Sequence, residues 1–179
     1  FFKQKTAYEI STRDWSSDVC SSDLTSSLGS ALLGTGGVTK SGEGALTLGR
    51  TAYLTGQTTV NQGTLKLNGG TNTLAVGVGQ TGQALVVNAG GTLDLNGNVQ
   101  LVGSLSSTSA AQGAGVAGGT ITSTSTATFV TVGAGATVFA GSITGSSVGL
   151  MKSGITANTL SLLGANTYGG ATEIGRAHV

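Results

Sequence analysis

The phrase Val60-Asn61-Gln62-Gly63-Thr64-Leu65-Lys66-Leu67-Asn68-Gly69 returns, with one extra glycine, as Val87-Asn88-Ala89-Gly90-Gly91-Thr92-Leu93-Asp94-Leu95-Asn96-Gly97, and matched positions lie 27 to 28 residues apart. That period falls in the repeat range of solenoids. A hairpin meander also alternates strands and turns, but nothing in it demands the same turn-strand-turn phrase at about one coil length. A weaker third copy is read at Val132-Gly133-Ala134-Gly135-Ala136-Thr137-Val138-Phe139-Ala140-Gly141. Short runs with period-two alternation recur through the chain at Ala45–Leu48, Thr58–Val60, Ala84–Val87, 92–95, 127–132 and 137–140, the signature of strands with one buried face. Helix is disfavoured, because each glycine costs about 1 kcal/mol against alanine in a helix interior. At tight corners the same residue permits backbone that others avoid.

Stacking such units predicts an all-β fold, a right-handed parallel β-helix (β-solenoid). Each rung places Leu65 and Leu67, then Leu93 and Leu95, inward on top of one another, and turns Lys66 and Asp94 to water. Rungs ~4.8 Å apart and coils of about 20 to 28 residues give about five to seven coils and a rod of roughly 25 to 35 Å. Asn61 and Asn88, and likewise Asn68 and Asn96, fall at matched turn positions, where a side-chain amide satisfies its own turn and stacks on its copy one coil away.

Only residues 25–172 speak this language. They hold 31 of the 32 glycines, no proline and six charged residues: Lys40, Glu43, Arg50, Lys66, Asp94 and Lys152. Residues 1–24 instead hold the sole Trp (Trp15), the sole Cys (Cys20), four acidic and three basic residues, and no glycine. Residues 173–179 break the pattern again and carry the sole histidine, His178. Both flanks resemble translated sequencing-adapter tracts and are read as foreign segments outside the fold. Neither end of the 25–172 segment supplies a polar cap, so it is expected to be a fragment of a longer rod.

The net charge of the segment is +2, too sparse for a nucleic-acid groove. No run of 18 apolar residues offers a spanning helix, and FFKQK is not followed by the apolar stretch of a signal peptide. Without cysteine there is neither a disulfide nor a thiolate metal site in the segment. Collagen is excluded by the lack of proline and of strict glycine periodicity, and disorder by the regular β-branched runs.

No catalytic, cofactor-binding or metal-binding residue is assigned. The carboxylates of the segment, Glu43 and Asp94, sit in different modules, so a glycosidase pair would need the coil to bring them within about 5 to 9.5 Å. Asp94 alternates between Leu93 and Leu95 and reads as a solvated residue. Gly36-Gly37 through Lys40-Ser41 lacks the glycine that must precede the lysine of a phosphate loop. A single Asp cannot furnish the oxygen ligands of a calcium nonapeptide array. Lys40 and Lys152 read as solvated corners, and Tyr53 and Tyr168 as caps of an apolar edge at equivalent corners.

A larger echo spans the segment. Val38-Thr39-Lys40-Ser41-Gly42 and Leu46-Thr47-Leu48-Gly49 are matched by Gly149-Leu150-Met151-Lys152-Ser153-Gly154 and Leu160-Ser161-Leu162. Thr51-Ala52-Tyr53-Leu54-Thr55-Gly56-Gln57-Thr58-Thr59 is matched by Asn166-Thr167-Tyr168-Gly169-Gly170-Ala171-Thr172. The stretch VTKSGEGALTLGRTAYLTGQTTVNQGTLKLNGG, residues 38–70, resembles the autotransporter-associated β-strand repeat, with residues 148–172 as a truncated second copy. Arg50, Ala52 and Leu54 depart from the usual pattern. The resemblance implies a non-enzymatic passenger segment of a bacterial autotransporter-like protein, secreted or at the cell surface, with adhesion or self-association as its role. It also implies an export signal upstream and an outer-membrane β-barrel anchor downstream. Expected partners are other copies or a host or glycan surface; no nucleic acid, cofactor or metal is expected. The alternatives are a fragment of a carbohydrate-active β-helix enzyme and a glycan- or host-binding module that uses exposed Thr and Asn ladders.

Overall fold

The computed structural model describes residues 25–75, 82–108, 118–133, 135–154 and 159–175. Within them there is no helix; eighteen strands, β1 to β18 in chain order, pair only in parallel. They fall on three faces. Face one stacks β1 (Ser26–Leu28), β4 (Ala45–Leu48), β7 (Gly63–Leu67), β9 (Gly91–Asp94), β12 (Thr120–Thr122) and β15 (Ser142–Ile143). Face two begins with β2 (Leu33–Gly34) and β5 (Tyr53–Leu54), passes through the Ala52–Leu74 bridge, and continues as β10 (Val99–Val102), β13 (Ala127–Thr131), β16 (Val148–Lys152) and β18 (Thr172–Ile174). Face three holds β3 (Thr39–Lys40), β6 (Thr58–Val60), β8 (Ala84–Val87) and β11 (Ser104–Ser106), then β14 (Thr137–Phe139) and β17 (Leu160–Leu162). The chain visits the faces in the same rotation throughout, an arrangement consistent with a β-solenoid.

Inward columns of apolar side chains fill the interior. Leu46, Leu65, Leu93, Ile121 and Ile143 are stacked by register at successive spacings of 19, 28, 28 and 22 residues. Leu65, Leu67, Leu93 and Leu95 are fully buried as expected, and Lys66 pairs in register with Asp94 on the outer side. Each buried leucine contributes about 1.5 to 3 kcal/mol relative to exposure. Phe129 and Phe139 plug faces two and three in the same way.

The third copy of the repeat does not lie where the phrase suggested. Thr137–Phe139 is β14 on face three, paired with β17, whereas Leu65 and Leu93 are followed on face one by Ile121 and Ile143. What recurs on face one is a glycine, a small residue and an inward aliphatic: Gly44-Ala45-Leu46, Gly63-Thr64-Leu65, Gly91-Thr92-Leu93, Gly119-Thr120-Ile121 and Gly141-Ser142-Ile143. Gly164 continues this column, one register step beyond Gly141. Close approach explains the glycines. A Cβ on Gly119 would collide with the Gly91 carbonyl oxygen, one on Gly141 with that of Gly119, and one on Gly164 with that of Gly141.

The larger echo is likewise displaced by one face. Lys40 ends β3 on face three, but Lys152 ends β16 on face two; Leu46 and Leu48 belong to face one, but Leu160 and Leu162 to face three. Local geometry survives the rotation, since the ammonium of Lys40 donates to the Ser41 carbonyl at 3.0 Å and that of Lys152 to Ser153 at 2.9 Å.

Where the coil lengthens from 19 to 28 residues, face two loses its backbone ladder and side-chain amides replace it. The buried Gln100 accepts from Leu74 N–H at 3.0 Å and donates to Leu74 C=O at 3.0 Å, doing the work of a peptide group. Asn72 accepts from Leu101 N–H at 2.9 Å. Gln83 accepts from the Thr58 hydroxyl at 2.8 Å and donates to the Leu54 carbonyl at 2.7 Å. Buried backbone groups must be paired, and here a side chain supplies the pairing that the insertion removed.

Candidate functional site: the hydroxyl and amide face

Face one presents two outward columns. Ala45, Thr64, Thr92, Thr120 and Ser142 stack in one; Ser27, Thr47, Lys66, Asp94 and Thr122 stack in the other. Period-two alternation puts them opposite the leucine columns, so the burial that fixes the register also aims the hydroxyls at solvent. An asparagine ladder borders each side. At the entry to face one Asn88 donates to Asn61 at 2.8 Å, and at the exit Asn96 donates to Asn68 at 2.8 Å, the stacking expected of these residues. Thr108 extends the first ladder, its hydroxyl donating to Asn88 at 2.6 Å.

Asp94 is less solvated than its alternation implied. Its side chain is 19% exposed and lies 3.8 Å from the Lys66 ammonium. It also accepts from the Asn96 N–H at 2.8 Å, which fixes the turn in which Asn96 adopts a positive φ of 50°. An ion pair this open contributes at most about 1 kcal/mol. Glu43 stands at the opposite edge of the face, just before Gly44 and two coils away, bonded to Gln62 at 3.4 Å. The coil does not bring the two carboxylates together.

The reading of Lys40 as a solvated corner is overturned. It is 2% exposed, and its ammonium donates to the carbonyls of Ser41 at 3.0 Å, Gly42 at 2.6 Å and Gln62 at 3.1 Å. The alternation of β3 turns Lys40 inward, and the carbonyls at the coil end supply the acceptors that a buried charge requires. Because Gln62 belongs to the next coil, the ammonium ties two coils together. Lys40→Met should therefore lower stability by about 1–3 kcal/mol through the carbonyls left without a donor, while Lys66→Ala should stay within about 0.5 kcal/mol. Urea midpoints of the two variants would check this. Lys152 is half-buried, and desolvation holds its ammonium below the ordinary lysine range.

Tyr53 and Tyr168 do not occupy equivalent corners. Tyr53 lies in β5 on face two and is 58% exposed. Tyr168 follows Thr167, whose N–H bonds to Ile143 of face one; it packs on the core and shares a 2.9 Å hydrogen bond with Thr172. On face two, Gly149 and Gly170 leave a surface concavity of about 210 Å³ beside Thr128, Met151 and Glu173. Among the described residues no group of three His, Cys, Asp or Glu side chains is placed to hold a metal ion. Trp15, Cys20 and His178 lie outside the described residues. Glu173 and Ile174 lie in β18, which crosses the boundary drawn after Thr172.

The hydroxyl columns went unnoticed in the sequence, although the signal was present. The triplet of glycine, small residue and aliphatic marks every coil of face one, and its middle position is the outward column. No family model, no curated protein and no solved structure matches the chain.

Proposed function

We propose that residues 25–172 form a right-handed parallel β-helix that serves as a passenger segment of an exported, autotransporter-like bacterial surface protein, extending or displaying other parts of that protein and carrying no catalysis of its own. The observation that supports this reading is face one itself. One triplet, repeated on successive coils, builds a continuous core column, a continuous glycine column and a continuous polar surface, which is what a quasi-one-dimensional spacer requires. Building such a rod needs no disulfide, because stacking one coil on the next supplies the buried area.

A second reading draws on the hydroxyl columns and their asparagine borders, a flat array of donors and acceptors suited to a polysaccharide. Two experiments separate the possibilities. Antibodies against the chain should label intact producing cells; labelling only after lysis would overturn the surface reading. Purified chain incubated with insoluble polysaccharides should neither release sugar nor be retained if it is a spacer. Retention without release would favour the binding face, and sugar release would favour an enzyme.

A further inference from the structure

Both asparagines of the exit ladder are followed by glycine, in Asn68-Gly69 and Asn96-Gly97. Such a dipeptide carries an intrinsic reactivity, because the unhindered glycine nitrogen can reach the asparagine side-chain carbonyl. We propose that these two stacked pairs form a latent self-modification site, at which each asparagine converts to aspartate or isoaspartate with water as the co-reactant, and that the buried hydroxyls of Thr73 and Ser123 hold the site closed.

The step balances without any other reagent. The backbone nitrogen of Gly97 gives up its proton and bonds to Cγ of Asn96; the Cγ–Nδ2 bond breaks and ammonia leaves, giving a succinimide. Water then opens either carbonyl of the ring, yielding aspartate or isoaspartate. In the fold both reacting atoms are engaged. Gly97 N–H donates to the Ser123 hydroxyl at 2.9 Å, and the departing amide of Asn96 donates to Asn68 at 2.8 Å. One coil earlier Gly69 N–H donates to the Thr73 hydroxyl at 3.0 Å, and that hydroxyl donates onward to the Gly70 carbonyl at 2.9 Å. Ser123 is 4% and Thr73 0% exposed, so water does not compete for either hydroxyl.

Conversion would not be silent. A carboxylate at position 96 loses the donor that the Asn68 oxygen accepts and sets a second negative charge beside Asp94, whose Oδ1 already takes the N–H of residue 96. An isoaspartate would reroute the main chain through the side chain at the turn where Asn96 and Gly97 hold φ of 50° and 77°. The corner between faces one and two would then open from its surface inward. This inference stands apart from the surface reading and survives if that reading fails.

The test is peptide mass spectrometry of the purified full chain held in mildly alkaline buffer, folded and in urea. Folded protein should convert Asn68 and Asn96 at least about tenfold more slowly than unfolded protein, the ratio that local opening imposes. Ser123→Ala should speed Asn96 roughly three- to tenfold, the range for one lost hydrogen bond, with Asn68 unchanged. Thr73→Ala should do the reverse, and Ser123→Thr should retain the slow rate. Asn98, on the same corner but followed by valine, is the internal reference. Equal rates in folded and unfolded wild-type chain would overturn the proposal without any variant. So would a Ser123→Ala chain that keeps its strand circular dichroism and converts Asn96 no faster, or one that speeds both asparagines alike.

Discussion

Truncating Leu93 to alanine should lower stability by about 2 to 5 kcal/mol, the range for emptying a buried leucine site. Leu93 is fully buried and stands in register between Leu65 and Ile121, so its side chain touches the coil on either side as well as its own. Parallel stacking makes collapse of the cavity difficult, because moving β9 inward would tear it from both β7 and β12. Urea denaturation followed by circular dichroism measures the loss. A Leu93→Ala chain no weaker than Lys66→Ala would mean that face one is read inside out.

The second large effect should come from adding a single methyl group. Gly119→Ala places a Cβ against the carbonyl oxygens of Gly91 and Asn88, atoms of a backbone that is itself paired and cannot yield. We expect a cost of at least about 3 kcal/mol, the upper part of the overpacking range. Its φ is not in the left-handed region, so the penalty is steric. Gly36 has open space where its Cβ would stand, and Gly36→Ala should be neutral or stabilising by up to about 1 kcal/mol. Comparable losses at both positions would refute the glycine column.

The strand alternation made the all-β fold, the inward leucines and the asparagine stacking legible, because burial and period two act within a few residues of one another. The leucines at 65, 67, 93 and 95 needed nothing beyond that rule. Lys40 defeated the same reading, since its acceptors Ser41, Gly42 and Gln62 come from the coil end and from the next turn, which no local pattern reveals. The rotated echo at Lys152 and the misplaced copy at Thr137 failed for a related reason. Phrases identify a strand and its turn, but the face on which a strand lands depends on how many residues every preceding corner consumed. The glycines were read as flexible corners, when several of them are points of contact between coils.

The glycine column has a kinetic meaning as well as a steric one. A rod built from near-identical turns faces a persistent hazard, since a new turn can dock one residue out of step and still bury much of its apolar surface. At Gly91, Gly119, Gly141 and Gly164 the space for a side chain is filled by a carbonyl of the turn beneath, or for Gly91 by that of Val60. A slipped turn would bring threonine, serine or another side chain to that place and be refused before its remaining bonds form. The column therefore works as a phase mark, checking each turn as it is added and keeping an error from propagating down the rod.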